Sequence, residues 1–459
     1  MRKHISENEI DLLLSTLRRL YRRNARVGMY KLISRTHPAV MAVVFRHLED
    51  TERRDVFQYI RRMEGYQEFL EELDDTIIEE LLITLTSQEI DTIISDLPPE
   101  EIADILQNVQ DDLAKKVHGV LDQEERREVE EILQYPEDSA GRIMTTEFLK
   151  FQGGTSVAQT ILEFQTLATD MDAPFYIYVV NDLNQMMGVL SLRQLLLHPP
   201  ETQLNEIMES EFIAVSVDTD QEQVAVLVSR YNFLALPVID HNNHLVGIVT
   251  VDDVLDVLRE EATEDILRMA GAGDDREILL KSTLESARIR FPWLMASWIG
   301  GIFALGIIGA FESILSQTVV LAGFIPIIMG MGGNVGTQTS TIIVRGIATG
   351  RVRLNEVSKV VLKEIRIGML LGILYGILLG VLTYFRYLQY SDPLMLGVVV
   401  GSSVFIAMTI AVTIGSAIPL VLSRMDIDPA ISTGPFVTTA IDILGVLIYF
   451  YIASLLLNI

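Results

Sequence analysis

Residues 326–338 read PIIMGMGGNVGTQ, set between the apolar runs VVLAGFI (319–325) and TSTIIVRG (339–346). Four glycines, an asparagine and a glutamine interrupt a segment otherwise apolar enough to span a bilayer. Lipid solvates neither backbone nor amide groups, so such a run is tolerated at membrane depth only where it faces protein or a water-filled path. The stretch therefore marks this region as membrane material and locates a candidate working surface within it.

Working outward, five apolar spans are expected near 291–311, 317–343, 364–386, 394–422 and 433–457. Each is close to the roughly 20 residues a helix needs to cross the hydrocarbon. Arg288 and Arg290 precede the first span, and Arg345, Arg351, Arg353, Lys359, Lys363 and Arg366 surround the second-to-third connection. The first-to-second turn holds Glu312 and no basic residue, and the third-to-fourth sets Arg386 against Asp392. Basic residues stay on the cytoplasmic side, which predicts a cytoplasmic N-terminus and, after five spans, an external C-terminus. The opening MRKHISENEIDLLLSTLRRLYRR has no uninterrupted apolar core and is not expected to act as a secretory leader.

Within the spans one ionisable group stands out, Asp442 in GPFVTTAIDILGVLIYF. A midspan carboxylate costs several kcal/mol unless it faces water, a partner or a cation, so it is a functional candidate by default. Thr438 and Thr439, four and three residues earlier, give that helix a polar face, and no basic residue of another span is placed to pair with the acid. In the opening stretch Asn334 and Gln338 share a face at i,i+4, while glycines 330, 332, 333 and 336 allow close helix approach or exposed carbonyls. Oxygen acceptors of this kind can meet the water shell of a hydrated ion. Gly368, Gly372, Gly376 and Gly380 recur every four residues without polar atoms and are expected to pack helices; Met329 and Met331 are expected to be filler.

Charge is unevenly spread. From Leu284 onward there are ten Arg/Lys and eight Asp/Glu, which leaves −28 of the chain's net −26 on residues 1–283. Such a surface repels phosphate backbones, so nucleic acid is excluded as a partner and cations are favoured. The chain has no cysteine and all seven histidines precede the apolar region, so a membrane site must use oxygen ligands. Oxygen-only coordination suits magnesium or calcium. No nucleophile and base are suggested together in the front part, so enzymatic activity is not expected.

Residues 1–137 show helical periodicity broken at HPAV, MEGY and LPPEE, which predicts an all-α, acidic N-domain of short helices. In LPPEEIADILQNV the prolines suit a helix start and place Glu100 and Asp104 on one face. After YPEDSAG an internal repeat begins: IMTTEFLKFQGGTSVAQTI from Ile143 parallels IMESEFIAVSVDTDQEQVA from Ile207, and each copy leads to a strand, a turn and a glycine-bearing strand. These copies, spanning 138–257, resemble a tandem pair of cystathionine β-synthase (CBS) modules, α/β units that regulate transporters and sometimes bind adenine nucleotides. In GIVTVDD the second copy carries the phosphate and ribose pattern through Gly247, Thr250 and Asp253; the first has Ser191 and Gln194 in GVLSLRQ, without the carboxylate. A connector over 258–286 follows, where VDDVLDVLREEATEDILRMAGAG predicts one acidic helix ended by Gly271 and Gly273.

The whole sequence resembles the MgtE family of magnesium channels. The resemblance rests on YPEDSAG, the paired CBS modules, VTVDDVLDVL and EEATEDI, PIIMGMGGNVGTQ and DPAISTGPFVTTAIDILG, in that order. It implies a multi-domain fold with an all-α cytoplasmic N-domain, an α/β CBS pair and an α-helical pore domain of five spans over 287–459. It implies a homodimer in the cell membrane with the pore on its axis, Asp442 as pore acid, and Asn334 and Thr438 beside it. Cytosolic magnesium sites would use Asp253, Asp256, Glu261, Glu264 and Asp265, with Glu100 and Asp104 from the N-domain; Thr250 and Asp253 are the positions at which ATP would meet the CBS pair. The expected function is magnesium uptake down the membrane potential, closed by cytosolic magnesium. Two other classes stay open: a CBS-regulated carrier of another divalent cation, and a membrane-anchored nucleotide sensor.

Overall fold

The computed structural model describes residues 7–457 apart from 64, 96, 168–174, 274, 276–277, 350, 353–356, 426 and 433. Arg353, His4 and the first residue of the fifth expected span lie outside the described residues. The chain divides into two compact units, Met1–Leu258 and Arg259–Ile459.

The first unit begins with α1 (Glu7–Arg22), α2 (Arg26–Ile33), α3 (Pro38–Arg46), α4 (Asp50–Ile60), α5 (Tyr66–Glu71), α6 (Asp75–Thr84), α7 (Ser87–Ile94), α8 (Pro99–Asn108), α9 (Asp111–Val120) and α10 (Gln123–Ile132). Prolines open α3 and α8, where the missing N–H is an orphan in any case. Asp122 caps α10, accepting from the N–H groups of Glu124 and Glu125 while the Glu125 carboxylate accepts from Asp122 N–H. Phe45, Phe57 and Phe69 are fully buried at the centre of the core.

After the short α11 (Ala140–Ile143), the first repeat copy folds as β1 (Lys150–Gln152), α12 (Val157–Leu167), β2 (Tyr176–Val180), β3 (Met186–Ser191) and α13 (Leu192–Leu197). A second short helix, α14 (Leu204–Ile207), leads to the second copy: β4 (Val215–Ser216), α15 (Gln221–Tyr231), β5 (Ala235–Ile239), β6 (Leu245–Thr250) and α16 (Val251–Met269). In each three-stranded sheet the first strand pairs parallel with the second, and the second pairs antiparallel with the third. The register shifts at the matching place, Val179/Val180 in one and Val238/Ile239 in the other. The copies also exchange contacts reciprocally. Thr145 bridges Ile248 and Glu209 bridges Val189. A Cβ on Gly247 would strike Met144, and one on Gly188 would strike Met208, so the repeated Ile-Met of each copy packs on the strand glycine of the other.

In the second unit α16 ends before Gly271 and Gly273, both at positive φ. Then come α17 (Thr283–Ala310), α18 (Glu312–Gln317), a 3₁₀ turn (Val319–Phe324), α19 (Ile325–Ala348), α20 (Val357–Arg386), α21 (Pro393–Arg424), a second 3₁₀ turn (Pro429–Ser432) and α22 (Pro435–Leu457). Among the described residues five helices are long and apolar enough to cross a membrane, and α21 is the most buried of them. The quoted stretch is helical throughout, and the irregular backbone lies before it, in the Val319–Phe324 turn. Two helices start earlier than the apolar count predicts. α17 begins at Thr283 because Ser282 and Glu285 form a capping box there, and α20 begins at Val357.

Candidate functional site

Missing side chains set the rotation of α22. Gly415 of α21 closes on the Gly336 backbone of α19, and Ile441 of α22 fills the notch that Gly332 and Gly336 leave. On the other side Thr439 packs on Gly300 of α17. With Ile441 seated, the next residue, Asp442, lies alongside α19: a Cβ on Gly333 would stand 3.6 Å from Asp442 Oδ1. Asp442 is half-buried, and no hydrogen bond or ion pair reaches it among the described residues. Thr438 one turn below turns its hydroxyl onto the Gly434 and Pro435 carbonyls, at 3.3 and 3.2 Å, leaving its lone pairs available. Asn334, the residue after Gly333, is exposed, as are Gly330 and Gln338. Carboxylate, amides and glycine thus belong to two adjoining helices. Met329 and Met331 pack against the apolar cluster, and Gly376 and Gly380 bring α20 to within 2.6 and 2.8 Å (from an added Cβ) of the Gly401 and Gly397 carbonyls, as packing residues.

In the first unit Glu100, at the start of α8, carries a buried Oε2 with no hydrogen-bond partner. Burial pushes its acid up to about 7, a hydrogen bond from Thr145 opposes this, and the charges of Asp253 and Glu147 raise it further. Asp104, one turn on, is exposed and its charge acts on Arg142, whose guanidinium is bound by Gln107 and by the Ala103 and Ile132 carbonyls. Glu100 and Asp104 therefore serve different surroundings despite their i,i+4 spacing. Asp253 Oδ2 accepts from Thr250 N–H at 3.0 Å and Thr250 Oγ1 at 2.7 Å, so the expected ribose pair is first of all the N-terminal cap of α16. Burial raises the Asp253 acid, the two Thr250 bonds lower it, and the charges of Asp252 and Asp256 raise it. Ser191 and Gln194 build the same cap on α13. Asp256 is exposed.

In the second unit the tail of α16 is fastened to the base of the last span. Arg268 pairs with Glu264 and with Asp428, which also accepts from Ala430 N–H at 2.7 Å. Asp265 is pushed up to about 6 by burial and by Asp428, against the pull of Arg345 and Arg268. Glu261 is half-buried on the same helix. Gly271, at φ +67°, sits against Pro435, so a side chain there would strike the start of α22. Among the described residues no three acidic or histidine side chains close into a metal cage.

Comparison with known proteins places these features together. Residues 325–452 match the MgtE profile described as a divalent cation transporter, 36–138 the MgtE intracellular N domain, and 204–260 a CBS domain. The magnesium transporter MgtE of Thermus thermophilus is 39% identical over 366 residues, 78% of this chain and 80% of that one. The chain belongs to the MgtE family. The Bacillus subtilis magnesium transporter MgtE is 32% identical over 423 residues, 92% of each chain. A solved cytosolic domain of the Mg2+ channel MgtE in complex with ATP is 34% identical, covers 53% of this chain and 99% of its own, and superposes with a TM-score of 0.50. The helical N-domain, the CBS pair and five membrane helices are the MgtE architecture expected from the sequence, and the chain is a multi-pass membrane protein.

Four acids of this MgtE chain went unnoticed in the sequence. Glu147 faces Glu100, Glu128 is raised by burial and by its acidic neighbours including Glu147, and Asp428 faces Asp265. Glu364 is buried inside α20, because that helix starts seven residues before the apolar run.

Proposed function

We propose that the chain carries Mg2+ into the cell through a pore on the axis of a homodimer, lined by α19 and α22 of both protomers. The observation that supports this most is Asp442: a membrane carboxylate seated on a glycine of α19, without a partner among the described residues, against the helix that also carries the exposed amides of Asn334 and Gln338. A strongly hydrated cation is the ligand such a wall suits, since Mg2+ keeps several waters and needs acceptors for them together with one negative charge. With the N-terminus cytoplasmic and the C-terminus external, an inside-negative potential favours inward movement of a divalent ion by about 4.6 kcal/mol per 100 mV, twice the single-charge value.

Closure follows from the cytosolic acids. Glu100, Asp253, Asp256, Glu261, Glu264 and Asp265 repel one another when magnesium is scarce, and the connector relaxes. When it is abundant, carboxylates draw together across shared hydrated ions, within one protomer or between two, and α16 closes the pore, as linkage requires of a ligand that prefers one state. Asp104 contributes at longer range. An adenine nucleotide at the CBS pair would meet Thr250 and Asp253, and the acids facing Asp253 favour a cation there over bare phosphate. The reading is tested by Mg2+ flux into vesicles holding the reconstituted protein. Flux should vanish in Asp442→Ala, and joint neutralisation of Asp253, Asp256 and Glu261 should leave the pore open at magnesium concentrations that close the parent. Unchanged closure in the triple variant overturns the gate; unchanged flux in the first overturns the pore.

A further inference from the structure

The front of the chain is acidic, yet between Asp11 and Glu49 there are eight Arg/Lys and no Asp or Glu. Most of these lie on the hairpin of α1 and α2, which precedes the matched N-domain at residue 36. Asn24, at φ +51°, turns the chain between the two helices. Leu17, Met29 and Ile33 face the core, and Arg19, Arg22, Arg23, Arg26, Lys31 and Arg35 face outward. Arg18 is held by Glu52 and the His47 carbonyl, but Arg22, Arg23, Lys31 and Arg35 meet no carboxylate among the described residues. Large apolar side chains stand among these cations: Val27 is 83% exposed and Tyr30 44%. The solvent face of α2 reads Arg26, Val27, Tyr30, Lys31, setting apolar surface between two cations.

We propose that this hairpin docks on a bilayer surface rich in anionic phospholipid. Clustered Arg/Lys are drawn to phosphate headgroups, and exposed apolar side chains beside them enter the headgroup and acyl boundary. An acidic protein surface would satisfy the cations but would leave Val27 and Tyr30 with nothing apolar to cover them. The chain is a multi-pass membrane protein, so a bilayer is part of its surroundings.

The chain has no cysteine, so Val27→Cys gives a single labelling site. The full-length protein, labelled there with an environment-sensitive dye, is placed in nanodiscs of phosphatidylcholine or of a mixture rich in phosphatidylglycerol. In the anionic discs the emission should shift to the blue, and quenching by aqueous iodide should fall by about threefold or more, as an interfacial position predicts. Both changes should be absent in neutral discs, absent when Arg22, Arg23 and Arg26 are all changed to Glu, and reversed in about 1 M salt, where the Debye length is about 3 Å. Identical spectra in the two lipids overturn the proposal. So does a blue shift of equal size in neutral discs, which would mean that protein covers this face, as does a shift that survives the triple charge reversal.

Discussion

Changing Asp442 to Asn removes one charge and keeps the shape. In the proposed pore a hydrated Mg2+ would reach the carboxylate through a water, with about 2.1 Å from metal to water and about 2.7 Å from water to carboxylate, so the charges would stand about 5 Å apart. The attraction of a double charge at that distance is about 1.7 kcal/mol at the dielectric of bulk water and about 6.6 kcal/mol at an effective dielectric of 20. Asp442 is half-buried, between those limits. Even the lower figure corresponds to an almost twentyfold loss per carboxylate, and the proposed homodimer would lose two. Because no described residue bonds to Asp442, the variant should elute and melt like the parent. The assay is uptake into vesicles containing a magnesium-sensitive dye, under an inside-negative potential. A variant that conducts within about twofold of the parent would refute the reasoning, since Coulomb attraction at either dielectric demands a larger loss.

Other consequences can be checked separately. Gly336→Ala places a methyl where Ile441 sits, so it should lower the melting temperature in detergent, with overpacking costing about 1–3 kcal/mol; Gly330→Ala meets nothing within 4 Å and should melt as the parent does. Glu100, held at about 7 by burial, binds its proton more tightly in the folded chain than in the unfolded one. Stability is therefore greatest below about pH 4.5 on this account and falls as pH rises to about 7, by no more than about 3 kcal/mol; Glu100→Gln should flatten that slope in thermal melts made in chelator. Asp253→Ala removes the α16 cap and should cost about 1 kcal/mol at neutral pH, read from the same melts, partly offset by relief of its repulsion with Glu100. Arg268→Gln releases Asp428 and Glu264 and should cost about 1 kcal/mol of stability, read as a lower melting temperature in detergent at neutral pH.

What was legible in the sequence follows the range of the interaction. Membrane helices announce themselves by local composition, and the repeat by its own recurrence, so the five spans and the CBS pair could be read from residues alone. Asp442 was legible for the same reason, being a single charge inside an apolar run. Glu100 and Asp104 show where local reasoning stops: helix periodicity puts them on one face, but only the fold turns one toward Thr145, Glu147 and Asp253 and the other toward Arg142. Glu147 and Asp428 carry no local signal, because each matters through an acid more than 40 residues away, Glu100 and Asp265 respectively. Glu364 was missed through a boundary, since counting apolar residues locates hydrocarbon while caps and packing decide where a helix begins. The glycines were the least decidable. Composition alone left their role between helix packing and exposed carbonyls, and the structure divides the roles by position: Gly332 and Gly336 accept Ile441, and Gly333 makes room for the carboxylate that follows it. Packing and chemistry are thus coupled in this stretch, because the same notch that seats Ile441 aims Asp442.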